Sequence, residues 1–190
     1  MCDRAFTPRE FKNAPVLSQL ATLRHGSRYK TKPLHDALQE AFQNDLLFGG
    51  DRTHASGYDV KVSVTSTDAV GKKAIILANY SRHGQDALNW NFQRPDDPAF
   101  EMKVWEAAAA TSAAAPLFKP FRNESTGLTY YDGAFYNNNP VRVAHRERKL
   151  LWPDVASRHP DIFLSIGTGQ DQKWITHEIK HHAARSTAQR

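Results

Sequence analysis

The stretch at residues 128–140 constrains the fold of this chain more than any other part of the sequence. Its first half is β-prone and stops at Asp132-Gly133, and an Asp-Gly pair is among the strongest turn signals. The pattern predicts a short strand with the Asp132 carboxylate at its C-terminal end, where open α/β sheets place their ligand crevices. Asn139 then suits the N-cap of a helix that begins at Pro140. The alternative for the Asp-Gly pair taken alone is an ordinary surface turn.

Hydrophobic spacing predicts the other elements. After Pro140, the residues Val141, Ala144 and Leu151 are spaced to form one buried stripe on a helix. The apolar run at residues 162–166 is typical of a strand that is buried on both faces. An amphipathic helix is predicted to begin at Lys32, with Leu34, Ala37, Leu38, Ala41 and Phe42 on one face. Strands are predicted at residues 59–67, where Val60, Val62 and Val64 alternate, and at residues 74–78. A further helix is predicted at residues 102–111, and its small residues would pack closely on the sheet.

Several of these segments resemble, in the same order, the motifs of the patatin-like phospholipases. Asp132-Gly133-Ala134 is similar to the Asp-Gly-Gly/Ala active-site loop of that family, with an alanine that the family tolerates at the third position. Residues 105–114 resemble the family's helix-ending block, and residues 161–169 resemble its next strand and glycine turn. The resemblance covers residues 6–169 and is closest to the fungal type.

The resemblance implies a three-layer α/β/α domain with a mostly parallel sheet. It assigns residues 1–169 to the C-terminal portion of a patatin-like domain and residues 170–190 to a loosely ordered tail. The family's nucleophile lies in a Gly-x-Ser-x-Gly elbow, and no such motif occurs in the 190 residues. The sheet is therefore expected to be incomplete at its N-terminal side, and a complementing N-terminal segment is expected as a partner.

The resemblance also implies the chemistry of lipid ester hydrolysis. A serine attacks the ester carbonyl, Asp132 takes the serine proton as general base, and glycine amides hold the oxyanion. Gly133 and Ala134 would leave room for the serine to approach, while Asn138 and Asn139 would orient the loop. The chain itself offers no nucleophile, and the chemistry needs no metal and no cofactor. The implied function is a fragment of a lipid or phospholipid acyl hydrolase that is inactive alone; the alternative is a non-catalytic remnant that binds lipid or protein.

Two other motifs suggest different functions and are weaker. The His-Glu-x-x-His pattern at residues 177–181 is typical of zinc proteases, but no acidic residue follows it, and the only later histidine besides His181 is the adjacent His182. Solvated histidines of the tail are the better interpretation. Gly-Thr-Gly at residues 167–169 lacks both the third glycine of a dinucleotide site and the Gly-Lys-Ser/Thr of a P-loop. We therefore expect neither zinc nor a nucleotide.

Composition and charge limit the partners. The net charge is +5, and the mean hydropathy of −0.62 is typical of soluble globular chains. The basic residues gather at residues 24–32 and 173–190, and neither region interleaves aromatics with Lys and Arg as a single-strand binding platform would. This favours weak docking to an anionic lipid surface over nucleic acid, although a solvated face is the simplest interpretation. The sequence has no membrane-spanning run and no signal segment, and its single cysteine, Cys2, leaves no internal disulfide. We expect a cytoplasmic protein whose membrane contact is peripheral.

Overall fold

A computed structural model of the protein describes residues 2–9, 24–47, 60–69, 71, 73–80, 92–93 and 101–167. The chain divides into two units, residues 1–156 and residues 157–190. The predicted tail at residues 170–190, with its His-Glu-x-x-His pattern, lies outside the described residues, as does the predicted domain boundary at residues 169 and 170.

The first unit contains a sheet that has five strands in the described part of the chain, in the order β3-β2-β1-β5-β4. β1 runs antiparallel to both β2 and β5, and β5 runs antiparallel to β4. The two-residue β3 pairs in parallel with β2. The predicted mostly parallel sheet is therefore wrong, although helices combined with a sheet fit an α/β protein overall. The strands are β1 (Ser63–Asp68), β2 (Ala74–Ala78), β3 (Phe92–Gln93), β4 (Phe121–Arg122) and β5 (Thr129–Asp132).

Short connections explain two of the three antiparallel pairs, β1 with β2 and β4 with β5. Gly71, between β1 and β2, has φ +67° and donates its N–H to the carbonyl oxygen of Asp68 at 2.8 Å. In the turn between β4 and β5, the Gly127 N–H donates to the carbonyl oxygen of Asn123 at 2.9 Å. Parallel neighbours need a crossover of about a dozen or more residues, and neither connection is that long. The parallel prediction rested on the family resemblance, whereas these turns follow from the local sequence.

Five α-helices accompany the sheet in the described residues, and the sequence predicts three of them, α2, α3 and α5. α2 buries Leu34 and Ala37, whereas Ala41 and Phe42, predicted for the same face, are exposed. In α3 the small residues are buried as predicted, so that helix lies close to the sheet. The helices are α1 (Cys2–Ala5), α2 (Thr31–Phe42), α3 (Val104–Thr111), α4 (Ala134–Asn137) and α5 (Val141–Leu151), and a 3₁₀ turn follows at Pro153–Val155.

The main core is formed by side chains of β2, α3, β4 and β5. Leu77 and Tyr130 expose 1% and 2% of their surface there. β2 has the bounds that the sequence predicts. The strand predicted at residues 59–67 begins later, at Ser63, and the alternating valines mislead. Val60 and Val62 lie before β1 and are exposed, while Ser66 and Thr67 are buried. The buried members of the core are Ile75, Leu77, Met102, Ala107, Ala109, Ala110, Ala113, Phe121 and Tyr130.

The described part of the second unit, residues 157–167, contains no strand. Ile162, Leu164 and Ile166 expose 77%, 77% and 90% of their surface. The prediction of a strand buried on both faces at residues 162–166 therefore differs from the structure. An apolar run of this kind is buried only where other strands and helices cover it, and nothing in residues 157–167 does so.

Candidate active site

Asp132 ends β5, as predicted, and its backbone is held from three directions. Ser66 of β1 lies opposite it in the sheet. The Asp132 N–H donates to the carbonyl oxygen of Ala113 at 3.0 Å, and the Thr67 hydroxyl donates to the carbonyl oxygen of Asp132 at 2.8 Å. Strand pairing, the segment after α3 and a β1 side chain therefore fix the position of this residue together.

The two carboxylate oxygens of Asp132 have different environments. Oδ1 accepts a hydrogen bond from the Ala134 N–H at 2.8 Å, which is the contact of an Asx turn. Within the described residues, Oδ2 makes no hydrogen bond. The side chain is half-buried. One oxygen therefore orients the carboxylate, and the other can accept a proton from a group that approaches it.

Gly133 is required by the close approach of the loop to β1. A Cβ atom at this position would lie 2.6 Å from the carbonyl carbon of Thr65 and closer still to two Thr65 oxygens. The φ of Gly133 is −68°, so the backbone conformation itself does not demand glycine. Thr65 thus occupies the space that a side chain at position 133 would need. The glycine allows the loop to pack directly against β1 of the sheet.

The buried hydroxyl groups beside Asp132 are the part of the site that sequence reasoning missed. Ser66 donates to the carbonyl oxygen of Tyr131 at 2.6 Å, and Thr111 at the end of α3 donates to the carbonyl oxygen of Thr65 at 2.6 Å. Ser66 and Thr67 are fully buried. The signal available was the polar sequence of β1 itself, since hydroxyls in a central strand need partners when they are buried.

A short helix that the sequence did not predict, α4, follows directly after Asp132-Gly133. Phe135 and Tyr136 expose 63% and 52% of their surface. The Phe135 ring lies 6.1 Å from the Tyr131 ring, edge to face, and the Tyr136 hydroxyl donates to the carbonyl oxygen of Gly71 at 2.8 Å. Two exposed aromatic side chains therefore adjoin the carboxylate in sequence, and one of them ties the loop to the β1–β2 turn.

The two predicted asparagines differ in what they contact. Asn139 Oδ1 accepts a hydrogen bond from the Val141 N–H at 3.2 Å, and the helix begins at Val141, one residue later than predicted. Asn138 directly follows α4 as its C-cap residue and is exposed. Asn139 thus supports the start of α5, whereas the predicted role of Asn138 in orienting the loop stays a prediction.

The predicted apolar stripe of α5 is not its buried face. Ala144 is exposed, and Val141 and Leu151 are half-buried. The buried residue of this helix is Glu147, which exposes 4% of its surface and accepts a hydrogen bond from the Tyr80 hydroxyl at 3.1 Å. A polar contact therefore fastens the helix to the end of β2.

The described residues contain no group of three or more histidine, cysteine, aspartate or glutamate side chains that could hold a metal ion. In that same part of the chain, no helix is long and apolar enough to cross a membrane.

Comparison with known proteins places this chain in a family. The family model for patatin-like phospholipase matches residues 9–145, a span that contains Asp132 and both flanking elements. Phospholipase A I of Arabidopsis thaliana is 42% identical over 67 residues, which are 35% of this chain and 5% of the relative. The human calcium-independent phospholipase A2-gamma is 24% identical over 153 residues, which are 80% of this chain and 18% of the relative. The probable inactive patatin-like protein 9 of Arabidopsis thaliana is 34% identical over 83 residues, which are 39% of this chain and 21% of the relative.

The chain thus spans at most 21% of the length of these three relatives. The matched residues include the Asp132 loop, the strand before it and most of the buried core. The resemblance found in the sequence is confirmed, and the chain belongs to the patatin-like phospholipase family.

Proposed function

We propose that this chain belongs to a lipid acyl hydrolase and contributes the general base of a serine-aspartate dyad. Asp132 takes the proton, and the serine comes from a segment outside these 190 residues, since they contain no Gly-x-Ser-x-Gly motif. The substrate class is a carboxylic ester of a lipid or phospholipid. Family membership and the names of two relatives, both phospholipases, support this class.

The observation that carries the proposal is the different hydrogen bonding of the two carboxylate oxygens of Asp132. Oδ1 is held by the Ala134 N–H, while Oδ2 has no hydrogen bond within the described residues. A serine hydroxyl that reached Oδ2 would transfer its proton there as its oxygen attacks the ester carbonyl. Asp132 would then return the proton to the leaving alcohol, and water would release the acyl group in a second cycle.

A second candidate function is a non-catalytic module that binds lipid or protein. One observation favours it, because the relative that is 34% identical over 83 residues is named as probably inactive. In this case the Asp132 loop would keep its shape, since the hydrogen bonds that hold it need no serine.

The decisive experiment restores a nucleophile. The chain is joined to a segment of a patatin-like phospholipase that carries the Gly-x-Ser-x-Gly elbow, and hydrolysis of p-nitrophenyl esters is measured. We expect the fusion to be active and the chain alone to be no more active than a boiled sample. Asp132→Asn in the fusion should lower kcat/KM by about 10²–10⁴-fold, because the amide keeps the hydrogen bond to Ala134 but cannot accept the proton.

The matched control is Asp154→Asn, which removes the same charge from an exposed position in the 3₁₀ turn and should leave kcat/KM unchanged. Full activity of the Asp132→Asn fusion would refute the dyad. A fusion that folds but has no activity, whatever residue stands at position 132, would favour the non-catalytic alternative. Stoichiometric labelling of the chain alone by a fluorophosphonate, with turnover, would show that it contains its own nucleophile.

A further inference from the structure

The short helix α4 carries the backbone group that orients the Asp132 carboxylate. The N–H of Ala134, the first residue of α4, donates to Asp132 Oδ1 at 2.8 Å. The direction of the carboxylate therefore depends on where α4 lies. The four residues of α4 form a single helical turn, and an isolated helix of that length is not stable in water. Contacts with other parts of the chain must therefore hold α4 in place.

α4 lies against the sheet, where it contacts β1 and β2. Its own backbone bond, from the Asn137 N–H to the carbonyl oxygen of Gly133 at 2.8 Å, closes the helical turn but does not fix it to the sheet. The Phe135 ring lies 6.1 Å from the Tyr131 ring, edge to face, yet Phe135 exposes 63% of its surface. This ring contact is therefore a loose one, and it sets no single position for α4.

The hydroxyl of Tyr136 makes the directional contact. It donates to the carbonyl oxygen of Gly71 at 2.8 Å, in the turn that joins β1 to β2. That turn is itself closed by two hydrogen bonds to Asp68. The Gly71 N–H donates to the Asp68 carbonyl oxygen at 2.8 Å, and the Lys73 N–H donates to Asp68 Oδ1 at 3.1 Å. Tyr136 thus joins α4 to a well-braced part of the sheet.

We propose that Tyr136 is a positioning residue for Asp132. Its hydrogen bond to Gly71 holds α4 against the sheet, and α4 in turn holds the Ala134 N–H that orients Oδ1. Oδ2 is thereby kept facing the direction from which the serine hydroxyl arrives. The effect of Tyr136 passes through the backbone of α4. Its consequence for catalysis rests on the proposed hydrolase function, whereas the anchoring of the loop does not.

The first test measures the loop in the chain alone. Amide hydrogen exchange of the isotope-labelled chain is followed by NMR, because exchange reports local opening. Tyr136→Phe removes only the hydroxyl and should speed the exchange of the Ala134 amide by about three- to tenfold, the usual contribution of one hydrogen bond. The amides of α3 should exchange as they do in the unaltered chain, which would show that the loop alone has loosened.

Tyr29→Phe is the matched control. Within the described residues the Tyr29 hydroxyl donates no hydrogen bond, and its ring packs against Phe6 and Phe118. This variant should leave the exchange of Ala134 unchanged. Tyr136→Ala, which removes the ring as well, should speed that exchange at least as much as Tyr136→Phe does. Unchanged exchange in Tyr136→Phe, or an equal increase in Tyr29→Phe, would overturn the proposal.

The second test uses the fusion that carries a nucleophile. Tyr136→Phe should lower kcat by about three- to tenfold and leave KM within about twofold, as expected when a base is misplaced and substrate binding is not affected. Tyr29→Phe should leave both constants unchanged. Faster exchange of Ala134 with an unchanged kcat would refute the positioning role. A lower kcat with unchanged exchange would show that Tyr136 acts by another route, which would also refute it.

The two proposals can fail separately. A fusion that is inactive whatever residue stands at position 132 would refute the hydrolase function, while the exchange of Ala134 would still decide whether Tyr136 anchors the loop. A fusion that loses activity with Asp132→Asn but keeps it with Tyr136→Phe would support the dyad and refute the positioning role.

Discussion

At the scale of single residues, the site depends on polar groups that the core itself contains. Thr67 holds the carbonyl of Asp132, Ser66 holds that of Tyr131, and Thr111 holds that of Thr65. Each hydroxyl contributes about 1 kcal/mol as a hydrogen bond and would cost more than that if it were buried without a partner. The Asp132 carboxylate is therefore positioned by the interior of the sheet rather than by the flexible part of a loop.

Gly133 gives a direct test of that packing. Gly133→Ala should lower the free energy of unfolding by about 2 kcal/mol or more, because the new Cβ would meet Thr65 backbone atoms that cannot rotate away. Urea unfolding followed by circular dichroism measures the change. The control is Gly167→Ala, where nothing lies within 4 Å of the added Cβ. Equal and small changes in both variants would show that the loop does not approach β1 as closely as described here.

At the scale of elements, α2 meets the edge of the core through a histidine. The His35 ring lies 5.5 Å from the Phe121 ring of β4 and 6.0 Å from the Trp105 ring of α3. Burial among these rings lowers the pKa of His35 from its ordinary 6.5, and the neighbouring Asp36 carboxylate opposes part of that change. At neutral pH the His35 side chain therefore makes this contact between α2 and the core as an uncharged imidazole.

This packing predicts a pH dependence whose sign follows from proton linkage. As the pH falls through 6.5, the unfolded chain binds a proton at His35 before the folded chain does, so the free energy of unfolding should decrease until the lower folded pKa is reached. Urea unfolding at about pH 7 and about pH 5 measures the effect. His35→Gln should weaken the dependence, while His25→Gln, at an exposed position, should leave it unchanged. A dependence that is the same in all three proteins would contradict the prediction.

At the scale of the whole molecule, sequence patterns found elements more readily than their arrangement. Local patterns correctly predict three elements of the structure. These are the apolar strand at Ala74–Ala78, the helix α3 with its small residues, and the strand that ends at Asp132. Whether the strands run parallel or antiparallel depends on which strands pair, and this pairing is determined by the lengths of the turns and by contacts between residues that are distant in the sequence. The close contact between Gly133 and Thr65 joins positions that are 68 residues apart in the sequence, so no local sequence pattern could reveal it.

Burial is where the sequence and the structure differ most, and the difference can be measured. The apolar run at residues 162–166 predicts burial, yet Leu164 exposes 77% of its surface, while Leu77 in β2 exposes 1%. Leu77→Ala should cost about 2–5 kcal/mol of unfolding free energy, as large-to-small changes in a packed core do. Leu164→Ala should change it by no more than about 0.5 kcal/mol, as surface substitutions do.

The two leucine variants form a matched pair, since the same atoms are removed and only the surroundings differ. Urea unfolding of both variants under one set of conditions compares them directly. Similar losses in the two would mean that Leu164 is covered in solution, as its sequence pattern predicts and as a β-prone apolar segment would be when another strand pairs with it. A loss confined to Leu77→Ala would show that stability resides in the core of β2, α3, β4 and β5, and that the apolar surface at residues 162–166 is open to solvent in the folded chain.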